Sequence, residues 1–185
     1  MTAPIIRIAP DFALLKKTGF DSIIDVRSPS EFQDDHMPGA INLPVLDDAQ
    51  RAKIGTIYKQ TNPFEAKRSG AALVAQNLAG HLQTDLAKKD RDWRPLIYCW
   101  RGGQRSGAMA KIFSDIGWHS AVIEGGYKSY RKAVLDDLDH LPAKFRLIVL
   151  SGPTGTAKTH ILRAAAENGL QVLDLEGLAN HRGSL

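Results

Sequence analysis

The stretch PLIYCWRGGQRS, residues 95–106, decides the fold class of this 185-residue chain. It begins as a short apolar strand, continues as a glycine-rich loop and leads into a helix that Gly117 is expected to end. Cys99 therefore stands at the carboxyl end of a strand, which is where open α/β sheets place their ligand sites.

Short apolar strands and helices alternate along the rest of the first 140 residues. Strands buried on both faces are continuous apolar runs, so this order predicts an α/β fold, a parallel sheet with helices on both faces. A cap, a proline and a glutamate at residues 62–65 mark the clearest helix start. The predicted strands are 5–8, 22–26, 95–99 and 120–123; the predicted helices are 12–17, 106–116 and 127–138, with others starting at 29 and 63.

A second unit is predicted after Pro142, which gives a domain of residues 1–140, a linker of residues 141–145 and a second domain of residues 146–185. Its predicted elements are a strand at 145–150, a helix at 158–167 and a strand at 171–175. Because two strands and one helix cannot bury both faces of a parallel sheet, we expect an incomplete P-loop βαβ segment, from a fragment or a truncated product.

The loop SGPTGTAKT, residues 151–159, fits the P-loop pattern, in which backbone N–H groups and a lysine hold phosphate. Ala157 stands where the pattern has its second glycine, so we expect phosphate binding to survive in weakened form. The phosphate-binding candidates are Gly152, Thr154, Gly155, Lys158 and Thr159. Farther along, Asp174 and Glu176 either hold Mg²⁺ or orient water, or they cap the segment that follows.

The loop after Cys99 has the chemistry of an anion cradle. Its two glycines let successive N–H groups point inward, and the start of the helix adds partial positive charge. These groups favour a thiolate, so we expect a lowered pKa and a nucleophile or atom carrier; the alternative is an inert, buried cysteine. The cradle candidates are Arg101, Gly102, Gly103, Gln104, Arg105 and Ser106.

Charge and composition narrow the function classes. The chain has 24 basic and 20 acidic side chains. Five of the basic side chains lie between residues 51 and 68, where they form either a contact for an anionic partner or a solvated helix face. These basic-patch residues are Arg51, Lys53, Lys59, Lys67 and Arg68. The chain has a single cysteine, which excludes an internal disulfide and a zinc site made mainly of thiolates. It has no apolar run of about 18 residues, so we expect no membrane helix and a cytoplasmic protein.

Several motifs together resemble the rhodanese domain. They are DVR at residues 25–27, Glu31, HMPGAIN at residues 36–42, the cysteine loop, and GGY at residues 125–127. The resemblance implies that Cys99 carries sulfur as a persulfide and that Asp25 and Arg27 brace the loop. His36 is equally well explained as a turn residue.

The spacing of the loop differs from the usual rhodanese pattern. Arg105 follows Cys99 by six positions instead of five, which is the Cys-x5-Arg spacing of tyrosine and dual-specificity phosphatases. Tyr98 replaces the histidine that precedes the nucleophile in tyrosine phosphatases, and no residue identifies itself as the general acid. A phosphatase is therefore a lesser alternative, and a longer loop also suits a larger oxyanion.

A narrower resemblance is to the tRNA 2-selenouridine synthase family. It rests on GTIYKQ at residues 55–60, PFEAK at 63–67, GAALV at 70–74, the cysteine loop, and DLEGLANHRGS at 174–184. The resemblance implies conversion of wobble 2-thiouridine in tRNA to 2-selenouridine through an S-geranyl intermediate. It also implies that selenophosphate and geranyl diphosphate are substrates and that an enzyme supplying selenophosphate is a further partner. No tightly bound cofactor is implied, and Mg²⁺ is possible in the second domain.

By the same resemblance, Cys99 takes or steers selenium, the residues after it hold the anionic donor, and the P-loop serves the diphosphate. Two alternatives remain, a simple sulfurtransferase that uses thiosulfate and a binding module without catalysis. Neither needs the stretch at residues 58–67 or the P-loop, which favours the selenotransferase.

Overall fold

The computed structural model describes residues 3–10, 19–60 and 62–180, and it separates into two units, residues 1–140 and 141–185. The helix predicted at residues 12–17 lies outside the described residues. Within the described part of the chain, no helix is long and apolar enough to cross a membrane.

The first unit contains the predicted parallel sheet, which has five strands in the order β1-β5-β4-β2-β3. The strands are β1 Ile6–Ile8, β2 Ser22–Asp25, β3 Ala40–Asn42, β4 Pro95–Tyr98 and β5 Ala121–Ile123. All four residues of β4 are buried, and β4 lies between β2 and β5. The register pairs Tyr98 with Asp25, so these two central strands end side by side.

Five helices of the first unit are described. They are α1 Pro29–Asp34, α2 Asp48–Gln60, α3 Pro63–Gln83, α4 Gln104–Ile116 and α5 Gly126–His140. The start of α3 is as predicted, because the Asn62 side chain accepts a hydrogen bond from the Phe64 N–H at 2.8 Å. The end of α4 is also as predicted, because Gly117 adopts the left-handed conformation that closes a helix.

The core forms two clusters, one on each face of the sheet. Successive residues of a strand point to opposite faces. Ile97 and Cys99 accordingly pack with Phe113 of α4 and with α3, whereas Leu96 and Tyr98 pack with α5. Helices therefore cover both faces, as predicted, and the sulfur of Cys99 lies on the face covered by α4.

The second unit has a short 3₁₀ turn, Pro142–Lys144, and two helices, α6 Lys158–Glu167 and α7 Leu175–Leu178. The predicted helix is present, but the strands predicted at residues 145–150 and 171–175 are not formed. Among the residues that the structure describes, no strand lies beside these segments to complete a hydrogen-bond ladder, and Ile148 is 90% exposed. The apolar runs alone were therefore insufficient to make strands.

Candidate active site at the end of the central strand

Cys99 follows β4 directly and is only 3% exposed. The Ser106 hydroxyl donates a hydrogen bond to its Sγ at 3.3 Å. Burial disfavours the thiolate, yet this hydroxyl and three backbone N–H groups outweigh burial and hold the pKa of Cys99 below its ordinary value. The three N–H groups belong to Ser106, Arg101 and Gly103. The loop therefore surrounds the sulfur with hydrogen-bond donors, a geometry that favours the thiolate over the thiol.

The cysteine loop is packed against the turn that opens α5. Gly102 has φ +64°, and a Cβ there would lie 2.5 Å from the Ile123 carbonyl oxygen. The Tyr127 N–H donates to the Cys99 carbonyl at 2.8 Å, and the Lys128 N–H donates to the Trp100 carbonyl at 3.0 Å. The GGY motif and Lys128 after it thus hold the backbone of the cysteine loop through the first N–H groups of α5.

Asp25 and Arg27 form a buried ion pair beside the loop. The Arg27 Nη2 lies 2.7 Å from an Asp25 carboxylate oxygen and also donates to the Asp35 carbonyl at 2.6 Å. Burial lowers the pKa of Arg27, but hydrogen bonding and the charge of Asp25 outweigh burial and keep that pKa above its ordinary value. The guanidinium carbon of Arg27 lies 4.1 Å from the centre of the Tyr127 ring. The Asp25–Arg27 ion pair therefore connects the end of β2 to the start of α5.

Glu31 of α1 accepts two guanidinium groups. Its Oε2 lies 2.8 Å from Arg105 Nη1 and 2.9 Å from Arg51 Nε. Burial raises the pKa of Glu31, but hydrogen bonding and the charge of Arg105, helped by Arg51, outweigh burial and lower that pKa. The Arg105 side chain is therefore directed to Glu31, and the hydrogen bonds to sulfur come from N–H groups and a hydroxyl.

The remaining residues of the cysteine loop have simpler positions. Gly103 is the residue before α4, and Gln104 is the first residue of that helix. The Arg101 side chain is exposed, so it contributes its N–H to the cradle while its guanidinium faces solvent. His36 contacts the Phe32 carbonyl through Nδ1 at 2.8 Å, which fits the turn-residue interpretation.

The basic patch lies on α2 and α3 and is not part of the cysteine loop. Arg51 is paired with Glu31, and Arg68 is paired with Glu65 at 2.7 Å. The three lysines of the patch are exposed and form no ion pair within the described residues. They are Lys53, Lys59 and Lys67.

The P-loop candidates lie in the second unit. Ala157 adopts the left-handed conformation, with φ +60°, that the missing glycine would adopt without strain. Lys158 folds back over the loop, and its Nζ donates to the Gly152 and Pro153 carbonyls at 2.8 and 2.9 Å. The other candidates in this loop are Thr154 and Gly155, which are exposed, and Thr159, which is half-buried in α6.

Asp174 acts as a helix cap, because its carboxylate accepts the Gly177 N–H at 3.0 Å. Glu176 is exposed. In the described ranges, no three side chains of His, Cys, Asp or Glu come together as a metal site would require. Mg²⁺ is commonly bound by one or two carboxylates together with substrate phosphates, so a role of Asp174 or Glu176 in holding Mg²⁺ stays a prediction.

Two family models match the chain. Residues 10–133 match the rhodanese-like domain, and residues 145–185 match the tRNA 2-selenouridine synthase AAA domain. The tRNA 2-selenouridine synthases of Nitrosomonas europaea and Bdellovibrio bacteriovorus are 40% and 37% identical to the chain over 163 and 172 residues. Each match covers 88% of this chain and 42% of the relative, so the chain spans less than half the length of these relatives.

A solved structure agrees with these matches. The N-terminal domain of a Clostridium difficile 630 protein described as ATP/GTP binding superposes with a TM-score of 0.57 and 36% identity. The match covers 71% of this chain and 99% of that domain. Together with the resemblance to tRNA 2-selenouridine synthases, the match over residues 10–133 shows that the chain belongs to the rhodanese-like domain family.

Proposed function

We propose that this protein is a tRNA-modifying transferase that converts wobble 2-thiouridine to 2-selenouridine. One observation carries the proposal: the rhodanese-like match and the tRNA 2-selenouridine synthase AAA match occur in the same chain, on either side of residue 140. A simple sulfurtransferase or an anion-binding module needs only the first of these parts.

The first chemical step is alkylation of the tRNA. The 2-thiouridine sulfur attacks the C1 carbon of geranyl diphosphate, a C–S bond forms and the C–O bond breaks. Diphosphate leaves with the proton that N3 of the base loses. The residues of the P-loop, above all Lys158, are suited to bind the diphosphate. Lys158 then exchanges its contacts with the Gly152 and Pro153 carbonyls for the phosphate oxygens.

The second step is displacement by selenium. The Cys99 thiolate accepts the Se–H proton of selenophosphate, and the selenium attacks C2 of the modified uridine. The C2–S bond breaks, and geranylthiol leaves with the proton that Cys99 held. Water then cleaves the Se–P bond and releases phosphate, which leaves 2-selenouridine. Alkylation makes sulfur a better leaving group, and the lowered pKa of Cys99 increases the fraction of thiolate that can accept the proton.

The test is the Cys99→Ser substitution, introduced into the gene of the native host. We expect 2-selenouridine to disappear from tRNA hydrolysates while S-geranyl-2-thiouridine accumulates, because only the second step needs the thiolate. Lys111→Gln, on the exposed side of α4, is the matched control and leaves both nucleosides unchanged. Unchanged 2-selenouridine in the Cys99→Ser strain would show that Cys99 has no part in selenium transfer.

A further inference from the structure

Helices α2 and α3 form a hairpin with an aromatic tip. The two helices pack closely where Ile54 of α2 lies against Gly70 of α3. A Cβ on Gly70 would lie 3.6 Å from Cγ2 of Ile54. Near the connection between the helices, Tyr58 is 58% exposed and Phe64 is 70% exposed. Tyr58 and Phe64 are six positions apart, one near the end of α2 and the other near the start of α3, so both expose an aromatic side chain at the same end of the hairpin.

The same tip is positively charged. Phe64, Lys67 and Arg68 follow the i, i+3, i+4 spacing of one helix face and are all exposed. Lys59 is next to Tyr58 near the end of α2, and neither Lys59 nor Lys67 has a carboxylate partner in the part of the chain that the structure describes. The acidic Glu65 is already paired with Arg68 at 2.7 Å. The tip therefore offers aromatic faces next to uncompensated positive charge.

We propose that this tip binds a single-stranded loop of the tRNA, with bases stacked on Tyr58 and Phe64 and phosphates held by Lys59 and Lys67. The inference rests on the proposed function, which makes tRNA the substrate. Single-stranded nucleic acid presents both free base faces and phosphates, and proteins bind it with aromatic side chains set in a basic surface. A duplex hides its base faces, and an apolar protein surface leaves the lysines unpaired.

The hairpin is connected to the cysteine loop by one carboxylate. Arg51 of α2 and Arg105 at the start of α4 both bind Oε2 of Glu31. RNA bound at the tip of the hairpin is thus linked through Glu31 of α1 to the residues that follow Cys99. This ion-pair connection joins the helix that carries Tyr58 and Lys59 to the residues around Cys99.

The experiment measures RNA affinity of the 185-residue chain by fluorescence anisotropy. The probes are a tRNA transcript, a single-stranded RNA of the length of an anticodon loop, and a fully paired duplex of the same length. Tyr58→Ala and Phe64→Ala are each expected to weaken binding of the tRNA and of the single strand by about tenfold. Phe145→Ala removes an aromatic side chain that is 60% exposed elsewhere, and it leaves both affinities unchanged.

The charge is tested through the salt dependence. Lys59→Gln with Lys67→Gln is expected to reduce the slope of log affinity against log salt by about 1.4, or about 0.7 for each phosphate that the variant no longer neutralises. Lys88→Gln with Lys132→Gln removes two other exposed lysines and keeps the original slope. Circular dichroism confirms that each variant is folded.

Three results overturn the inference in distinguishable ways. If the chain binds tRNA and the tip variants bind it equally well, the docking surface is wrong while tRNA remains the substrate. If the duplex binds as tightly as the single strand and the aromatic variants are unaffected, stacking is wrong. If the chain binds none of the three RNAs, the tip is not an RNA surface, whereas the tRNA hydrolysates of the Cys99→Ser strain test the proposed function separately.

Discussion

Arg105, the second residue of α4, is paired with Glu31 at 2.8 Å and forms no hydrogen bond to the sulfur of Cys99. The spacing of six positions between Cys99 and Arg105 predicts a guanidinium that helps to hold an anion, and the structure directs that guanidinium to a carboxylate. The cradle around the thiolate is therefore built from backbone N–H groups and the Ser106 hydroxyl. Substitutions of Glu31 and of Ser106 therefore test separately how Arg105 and the Ser106 hydroxyl affect the pKa of Cys99.

Glu31→Gln removes the carboxylate that holds Arg105. We expect the pKa of Cys99 to fall, because the freed guanidinium is able to approach the thiolate and stabilise it. The free energy of unfolding should also fall, by about 2 kcal/mol, because hydrogen bonds to two charged groups are removed. Thiolate absorbance against pH and urea unfolding measure the two effects. Asp34→Asn, an exposed position on the same helix, is the control, and an equal response of both variants contradicts the assigned role of Glu31.

Ser106→Ala removes the hydroxyl that donates to Cys99 at 3.3 Å. We expect the pKa of Cys99 to rise, because the charged form then lacks one hydrogen bond while burial still disfavours that form. The same absorbance titration measures the change. Ser120→Ala, whose hydroxyl contacts the Ala110 carbonyl instead, should leave the pKa of Cys99 where it is. If the pKa of Cys99 does not change in Ser106→Ala, the Ser106 hydroxyl does not stabilise the thiolate.

The lowered pKa of Cys99 also has a consequence for stability. Between the folded and the unfolded pKa, the folded state binds fewer protons than the unfolded state. The free energy of unfolding therefore increases as pH rises through this window and keeps the gain above it. Urea unfolding across this pH range should show the increase in the parent chain and a smaller increase in Ser106→Ala.

Asp25→Ala leaves Arg27 as an unpaired charge in the core. We expect a loss of about 3–5 kcal/mol in the free energy of unfolding, because neither side chain of this pair is exposed enough for water to replace the partner. Denaturant unfolding of the purified chain measures the loss. Asp21→Ala, at an exposed carboxylate that accepts the backbone N–H of Arg94 at 2.7 Å, provides the comparison. A loss of less than about 1 kcal/mol in Asp25→Ala would show that the pair does not brace the loop.

Ala157→Gly tests the P-loop. Ala157 has φ +60°, a conformation that costs about 1–2 kcal/mol for a residue with a Cβ and nothing comparable for glycine. We expect tighter binding of geranyl diphosphate in titration calorimetry, because the loop reaches its binding conformation without strain. Ala164→Gly is the control, because glycine in the middle of α6 destabilises the helix and should not improve binding of geranyl diphosphate. Equal affinities of Ala157→Gly and the parent chain would mean that Ala157 does not limit this site.

The sequence predicted the central part of the fold because the signals there are local. The strand, glycine-rich loop and helix at residues 95–116 follow from apolar residues and glycines that lie next to each other. By contrast, β3 has only three residues, and α2 has no buried residue, so neither produces a clear period. The strands expected at residues 145–150 and 171–175 did not form, since strands need partners that no local pattern supplies.

For the candidate site, the sequence predicted the residues that are contiguous but not the contacts between distant positions. The cysteine, the glycines and Ser106 were identified because they are contiguous. The pairing of Arg105 with Glu31 joins positions 74 residues apart, and no spacing rule predicts such a contact. The position of Tyr127 against Arg27 has the same origin, because it depends on how α5 packs on the sheet.

The pKa of Cys99 tests the central claim most directly. Ultraviolet absorbance of the thiolate is recorded against pH for the parent chain, with Cys99→Ser as the blank. Burial raises the pKa of Tyr98 and Tyr127, which keeps the ionisation of these phenols out of the measured range. We predict a pKa below the ordinary value of about 8.5 for a cysteine. A value at or above about 8.5 would contradict the account, because the sulfur would then be an ordinary buried thiol.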